Sequence, residues 1–124
     1  MNKIQLFGNP SKEILSIELV DILSFIPNAK NLYWRVDWLE AVSVKGFDML
    51  AFETEARKGL KISYDELIDV NKNIIQFNEL LLVASKEEDE RCCDYIIELI
   101  DSSFWEVSST DKNFIERIRI ALVQ

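Results

Sequence analysis

Carboxylates are the one chemically active group this chain holds in quantity, and they are unevenly spread. Residues 86 to 106 contain eight of the twenty-two acidic residues and two of the fourteen basic ones, which places −6 of the formal net charge of −8 in one segment. It opens with Lys86-Glu87-Glu88-Asp89-Glu90-Arg91 and runs on through Asp94, Glu98, Asp101 and Glu106. Carboxylates gathered in this way can act as an acid and base pair, hold a cation, or attract a positively charged macromolecule. The acid and base candidates are Asp37 with Glu40, and Glu98 with Glu106 across a hairpin. Paired carboxylates on strands are far more often solvated surface charges, and nothing local implies the burial that separates two pKa values. A calcium loop needs alternating oxygen ligands and a glycine at its tight turn, and Glu87-Glu88-Asp89-Glu90 has no glycine. Diffuse cation attraction is all that run supports.

Other chemistries are excluded by residues the chain lacks. There is no histidine, so zinc sites of the Cys/His type and His-based triads are ruled out. The only glycines are Gly8, Gly46 and Gly59, which leaves no phosphate-cradling loop, no dinucleotide fingerprint and no G-x-S-x-G elbow. Cys92 and Cys93 are adjacent, a poor geometry for bonding to each other, and the flanking Glu90 and Asp94 disfavour a thiolate against one helping Arg91. They read as small apolar residues near the start of a strand. No catalytic residue, metal or cofactor is therefore expected. Nucleic acid fails on sign, because a chain of pI near 4.6 with scattered lysines has no basic stripe to meet phosphates.

At 124 residues the chain fits a single domain spanning 1–124, large enough to bury a core without staples. Its longest apolar run, Leu80-Leu81-Leu82-Val83-Ala84, is far short of the roughly 20 residues that a membrane span requires. The first ten residues break at Gly8-Asn9-Pro10 before any secretory apolar region forms. A cytoplasmic, reduced setting without membrane contact is the expectation.

The elements that must position these groups follow from periodicity. Asn9 as N-cap, Pro10 at the first helical position, and Leu15, Leu19, Ile22, Leu23 and Ile26 at helical spacing predict a helix over 10–26, stopped by Pro27-Asn28. From Leu32 the period changes to two, so Leu32, Trp34, Val36 and Trp38 should share the core face of a strand. Residues 39–62 are ambiguous: Val42 and Val44 suit a strand, while residues 47–58 before Gly59 suit a short helix or, by the alternation of Leu50, Phe52 and Thr54, a strand. Ser63-Tyr64-Asp65-Glu66 is a capping box for a helix over 64–72. Residues 74–84 read as a central strand, 95–100 and 104–107 as a hairpin, and Ser109 or Thr110 as the cap of a last helix with Phe114, Ile115, Ile118 and Leu122 on its apolar stripe. The fold class is α+β: a largely antiparallel sheet of four to five strands with the N-terminal and C-terminal helices packed on it.

An acidic domain can imitate nucleic acid, placing carboxylates where phosphates would sit and steering a basic protein onto itself. In size, acidity, lack of catalytic signatures, and an acidic hairpin with Phe104-Trp105-Glu106 ahead of a capped terminal helix, the chain resembles the small bacterial immunity proteins that neutralise polymorphic or contact-dependent toxins. That resemblance implies a tight one-to-one complex with a toxin domain, in the cytoplasm of the producing cell. The expected partner-binding residues are Glu87, Glu88, Asp89, Glu90, Asp94 and Glu106, with Tyr95 and Trp105 as aromatic anchors. A basic protein is the expected partner, and the chain alone is expected to be a monomer or weak homodimer. The alternative is a structural or adaptor domain that self-associates through a sheet edge or aromatic patch.

Overall fold

The computed structural model describes residues 1–7, 17–89, 91 and 93–123. Asn9, Pro10, Leu15, Glu90 and Cys92, which carry some of the expectations above, lie outside the described residues. In chain order the elements are β1 (Asn2–Leu6), α1 (Leu19–Leu23), a 3-10 turn at Ala29–Asn31, β2 (Tyr33–Ser43), α2 (Met49–Ala56), β3 (Leu60–Ile62), α3 (Tyr64–Lys72), β4 (Ile74–Ser85), β5 (Tyr95–Ile100), β6 (Phe104–Ser109) and α4 (Lys112–Leu122). The strands form one antiparallel sheet in the order β1-β6-β5-β4-β2-β3.

The α+β class and the antiparallel sheet agree with the sequence reading, but six strands stand where four to five were expected. β1 and β3 are the additions, one at each edge. Ile4 and Leu6 of β1 do alternate with Lys3 and Gln5, yet the partner that makes this a strand is β6, some hundred residues away. β3 is three residues long, too short to announce itself by periodicity.

Alternation decides the core. Leu80, Leu82 and Ala84 of β4, Tyr95, Ile97 and Leu99 of β5, and Trp105 and Val107 of β6 point to one face and are buried there, beneath α1, α3 and α4. Helix α4 contributes Phe114, Ile115 and Ile118, and α1 contributes Leu19, Ile22 and Leu23. The 10–26 helix is not continuous in its described part. Glu18 is extended at φ −97°, ψ 159°, and Ile17 turns its carbonyl to accept the Trp105 indole N–H at 2.8 Å, so the helix starts at Leu19. It also ends at Leu23, short of Pro27. The cap of α4 is Asp111, whose carboxylate accepts the Phe114 N–H at 3.1 Å; Ser109 belongs to β6 and spends its hydroxyl on the Asp94 carbonyl at 2.8 Å. Ser63 caps α3, accepting the Glu66 N–H at 3.1 Å, which is the serine half of the expected capping box. Within 39–62 the chain continues β2 to Ser43 and then forms α2, capped by Asp48 and followed by Gly59 at φ +83°.

Trp34 and Trp38 do not share a face. Val36 pairs with Leu82, but Trp38 pairs with Leu81, the very next residue of β4, so Asp37 is the extra residue of a β-bulge. The bulge moves Leu39 onto the core face with Trp34 and Val36 and turns Trp38 to the opposite one. Helix α2 lies along β2 beyond the short β3: Glu53 accepts the Ala41 N–H at 3.2 Å, and the Arg57 guanidinium sits 5.1 Å from the Trp38 ring centroid. No described helix is long and apolar enough to cross a membrane.

Tyr95 ties the core to the α4 cap. It is 1% exposed, meets Phe114 edge-on at 5.1 Å, and donates its hydroxyl to Asp111 at 3.3 Å. Burial first, then the Asp111 carboxylate, pushes the phenol from its ordinary 10 up to about 12. A phenol raised on folding contributes stability in full below pH 10, and that contribution is lost as pH rises through about 12. Between pH 9 and pH 11.5, chemical denaturation should therefore show wild type losing about 2 kcal/mol more than Tyr95→Phe.

Candidate functional site

The expected acidic face is dispersed by the fold. Glu87 and Glu88 stand exposed on the β4–β5 loop. Asp89 is held by Arg91, which donates Nε and Nη2 to its two oxygens at 3.2 Å each. Asp94 is a clasp for that loop: its carboxylate accepts the Lys86 N–H at 2.7 Å, while its carbonyl accepts the Thr110 N–H at 3.2 Å. Glu90 lies outside the described residues. Tyr95 and Trp105, expected as exposed anchors, are core residues instead, at 1% and 2% exposure. The reason is parity: both sit at even spacing with Ile97, Leu99 and Val107, so the pleat that buries those residues buries them too.

Glu106 lies on the other face of the sheet, and the residues around it make the better candidate. The described helices that bury the core lie on the opposite side and leave this face open; Arg57, the C-cap residue of α2, reaches it over Trp38. Two cross-strand rows order its centre. One runs Lys3, Ser108, Ile96, Val83, Arg35, Lys61 from β1 to β3; the next runs Gln5, Glu106, Glu98, Leu81, Trp38. Beyond them lie Phe104 opposite Ile100, and Glu40 opposite Glu79.

Acidic pairs are thus set directly opposite each other twice on one face, Glu98 with Glu106 and Glu40 with Glu79. Like charges at that spacing destabilise a sheet. Some of the charge is offset from within. Lys3 reaches Glu106 at 2.9 Å and Gln5 donates to it at 3.3 Å, and these two bonds hold the Glu106 carboxyl below the usual carboxylate range. Arg35 pairs with Asp37 at 2.6 Å, and the Trp38 indole N–H donates to Glu79 at 2.9 Å. Glu98 and Glu40 have no hydrogen-bond or ion-pair partner among the described residues.

Two depressions mark this face. The first, about 360 Å³, lies beside the acidic loop and is lined by Tyr33, Arg35, Lys61, Val83, Ser85 and Glu88 among others; Tyr33 is 50% exposed. The second, about 390 Å³, lies over β4 between Trp38 and Glu98. Of the two enzymatic candidates, Glu98 and Glu106 do meet across the hairpin, but the lysine and amide on Glu106 favour its ionised form, the reverse of what a general acid needs. Asp37 is engaged with Arg35 at the bulge. Among the described residues no group of three or more acidic or cysteine side chains is arranged to hold a metal ion.

Trp38 and Glu79 are the residues that sequence reasoning missed. A signal for Trp38 was present in the apolar doublet Trp38-Leu39, which breaks strict alternation and marks a change of phase. Lys3, as the counter-ion of Glu106, had no local signal at all.

Two measurements test this electrostatic account. Lys3→Met should return the Glu106 carboxyl toward its ordinary range in a carboxyl-detected NMR pH titration. The depressed group contributes stability at neutral pH that is lost as pH falls through its folded value, and the variant should lack that part of the acid loss. Glu98→Gln should raise stability to urea by about 0.2–1 kcal/mol, because it removes one member of a like-charged cross-strand pair. No family model, curated protein or solved structure matches this chain.

Proposed function

We propose that this chain is a non-enzymatic binding protein of the immunity type, which neutralises a basic, nuclease-like toxin domain by covering it with the open face of its sheet. The observation that carries this reading is the repeated opposition of like charges on that face, Glu98 with Glu106 and Glu40 with Glu79. A protein under no demand but stability would place a lysine in one of each pair. Repulsion retained in the free protein is relieved when a positively charged surface arrives. Leu81, Ile96, Ile100 and Trp38, all half-buried, supply apolar area between the charges, the composition of an interface centre ringed by polar groups. Glu87 and Glu88, exposed at the end of the sheet, extend the negative field and serve encounter.

Self-association is the other reading open at the level of sequence. A second copy on this face would set the same carboxylates against one another, and both sheet edges are short strands, a common defence against edge pairing. Light scattering after size exclusion should give a monomer; a stable dimer at micromolar concentration would favour the adaptor.

Co-expression with the toxin-like product of a neighbouring reading frame provides the direct test. The pair should purify as a one-to-one complex and the cells should survive. Reversing Glu87 and Glu88 to lysine should slow association at low salt and leave dissociation nearly unchanged, whereas Glu98→Lys should accelerate dissociation. Protection and kinetics indifferent to the open-face reversal would remove the reading.

A further inference from the structure

Resting on the proposed basic partner, we infer that the depression over β4 is a slot for one lysine or arginine side chain of that partner, lying across Leu81 with its charged head on Glu98. Three observations converge on this. The slot has walls of opposite character: Trp38 on β2 and Glu98 on β5 are each paired in register with Leu81 of β4, so they straddle it. Adjacent strands lie about 4.8 Å apart, which sets the two walls about 10 Å from backbone to backbone and leaves room for a single unbranched chain. The floor is apolar, from Leu81 and Ile100, and suits the methylene stem of a lysine or arginine rather than an ion with its oxygen shell.

The charged end is specified as well. Glu98 has no partner among the described residues, while the other carboxylates of the slot are engaged: Asp37 by Arg35 and Glu79 by the Trp38 indole at 2.9 Å. The bond to Glu79 also fixes the ring as a wall. Arg57 lies over that ring at 5.1 Å and forms no ion pair with Glu98, so the ring already holds a cation of the chain's own without satisfying the glutamate. A purely apolar side chain would desolvate Glu98 with nothing in return, and an acidic one would add a third charge to the Glu98 and Glu106 pair.

The experiment is a two-dimensional amide NMR titration of the intact chain with N-acetyl-arginine methylamide, N-acetyl-lysine methylamide, N-acetyl-norleucine methylamide and a pentalysine peptide. The arginine and lysine amides should shift the Trp38 indole N–H and the Leu81 and Glu98 amides in a saturable way at millimolar concentration. Glu98→Gln should weaken that response at least five-fold, and norleucine should leave these signals in place. Equal shifts from norleucine, or an unchanged response in Glu98→Gln, would overturn the slot. Pentalysine separates the two ideas. If it binds the open face and weakens in Glu106→Gln while the single amides leave Trp38 unmoved, the slot fails and the basic-partner reading stands. If pentalysine does not bind either, both fail together.

Discussion

The pleat of an antiparallel ladder gives every strand two faces, and committing one to the core commits the other. Once Leu80, Leu82, Ile97, Leu99, Trp105 and Val107 are buried under the helices, their neighbours Leu81, Glu98 and Glu106 have to emerge on the opposite side. The core side has no freedom to slip. A shift of one residue in β5 would carry Tyr95, Ile97 and Leu99 into solvent and Glu98 into the core, at a cost of several kcal/mol for the charge alone. The placement of acid on the open face is thus enforced by packing on the far side of the sheet.

Within that constraint the fold uses its polar groups in two distinct ways. Some are structural. Asp94 closes the acidic loop onto the end of β6, Asp111 caps α4 while accepting the Tyr95 hydroxyl, and Trp105 binds the chain before α1 through its indole N–H. Asp111 thereby satisfies an amide at a helix start, and the Ile17 carbonyl satisfies the buried Trp105 indole. The rest stand on the open face, where Lys3 and Arg35 offset part of the charge and Glu98 and Glu40 have no cationic partner among the described residues. Like-charge opposition of this kind lowers the stability of the free chain.

The bulge at Asp37 has an effect out of proportion to one residue. Without it, Trp38 would join Trp34 and Val36 in the core. With it, Leu39 takes that place and the indole becomes one wall of the slot over Leu81. Bulges are over-represented where a side chain has to be re-aimed, and here the re-aimed side chain is the largest on the open face.

Much of this was legible in the residues. The α+β class, the hairpin of β5 and β6, α3 with its serine cap and the apolar stripe of α4 follow from periodicity and end signals that act over a few residues, whereas over 47–58 those signals left helix and strand both open. Excess acid, and the absence of histidine and glycine-rich chemistry, were likewise fixed by composition. The partners were not. β1 exists because β6 pairs with it, Lys3 meets Glu106 because that pairing has one register, and α1 begins at Leu19, after an extended Glu18 and an Ile17 carbonyl taken by the Trp105 indole. The acidic segment illustrates the division most plainly. Its charge is a property of the chain, but whether those carboxylates cap, clasp, pair with a cation or stand unopposed is decided by which face each strand turns inward, a choice made jointly by residues distant in sequence.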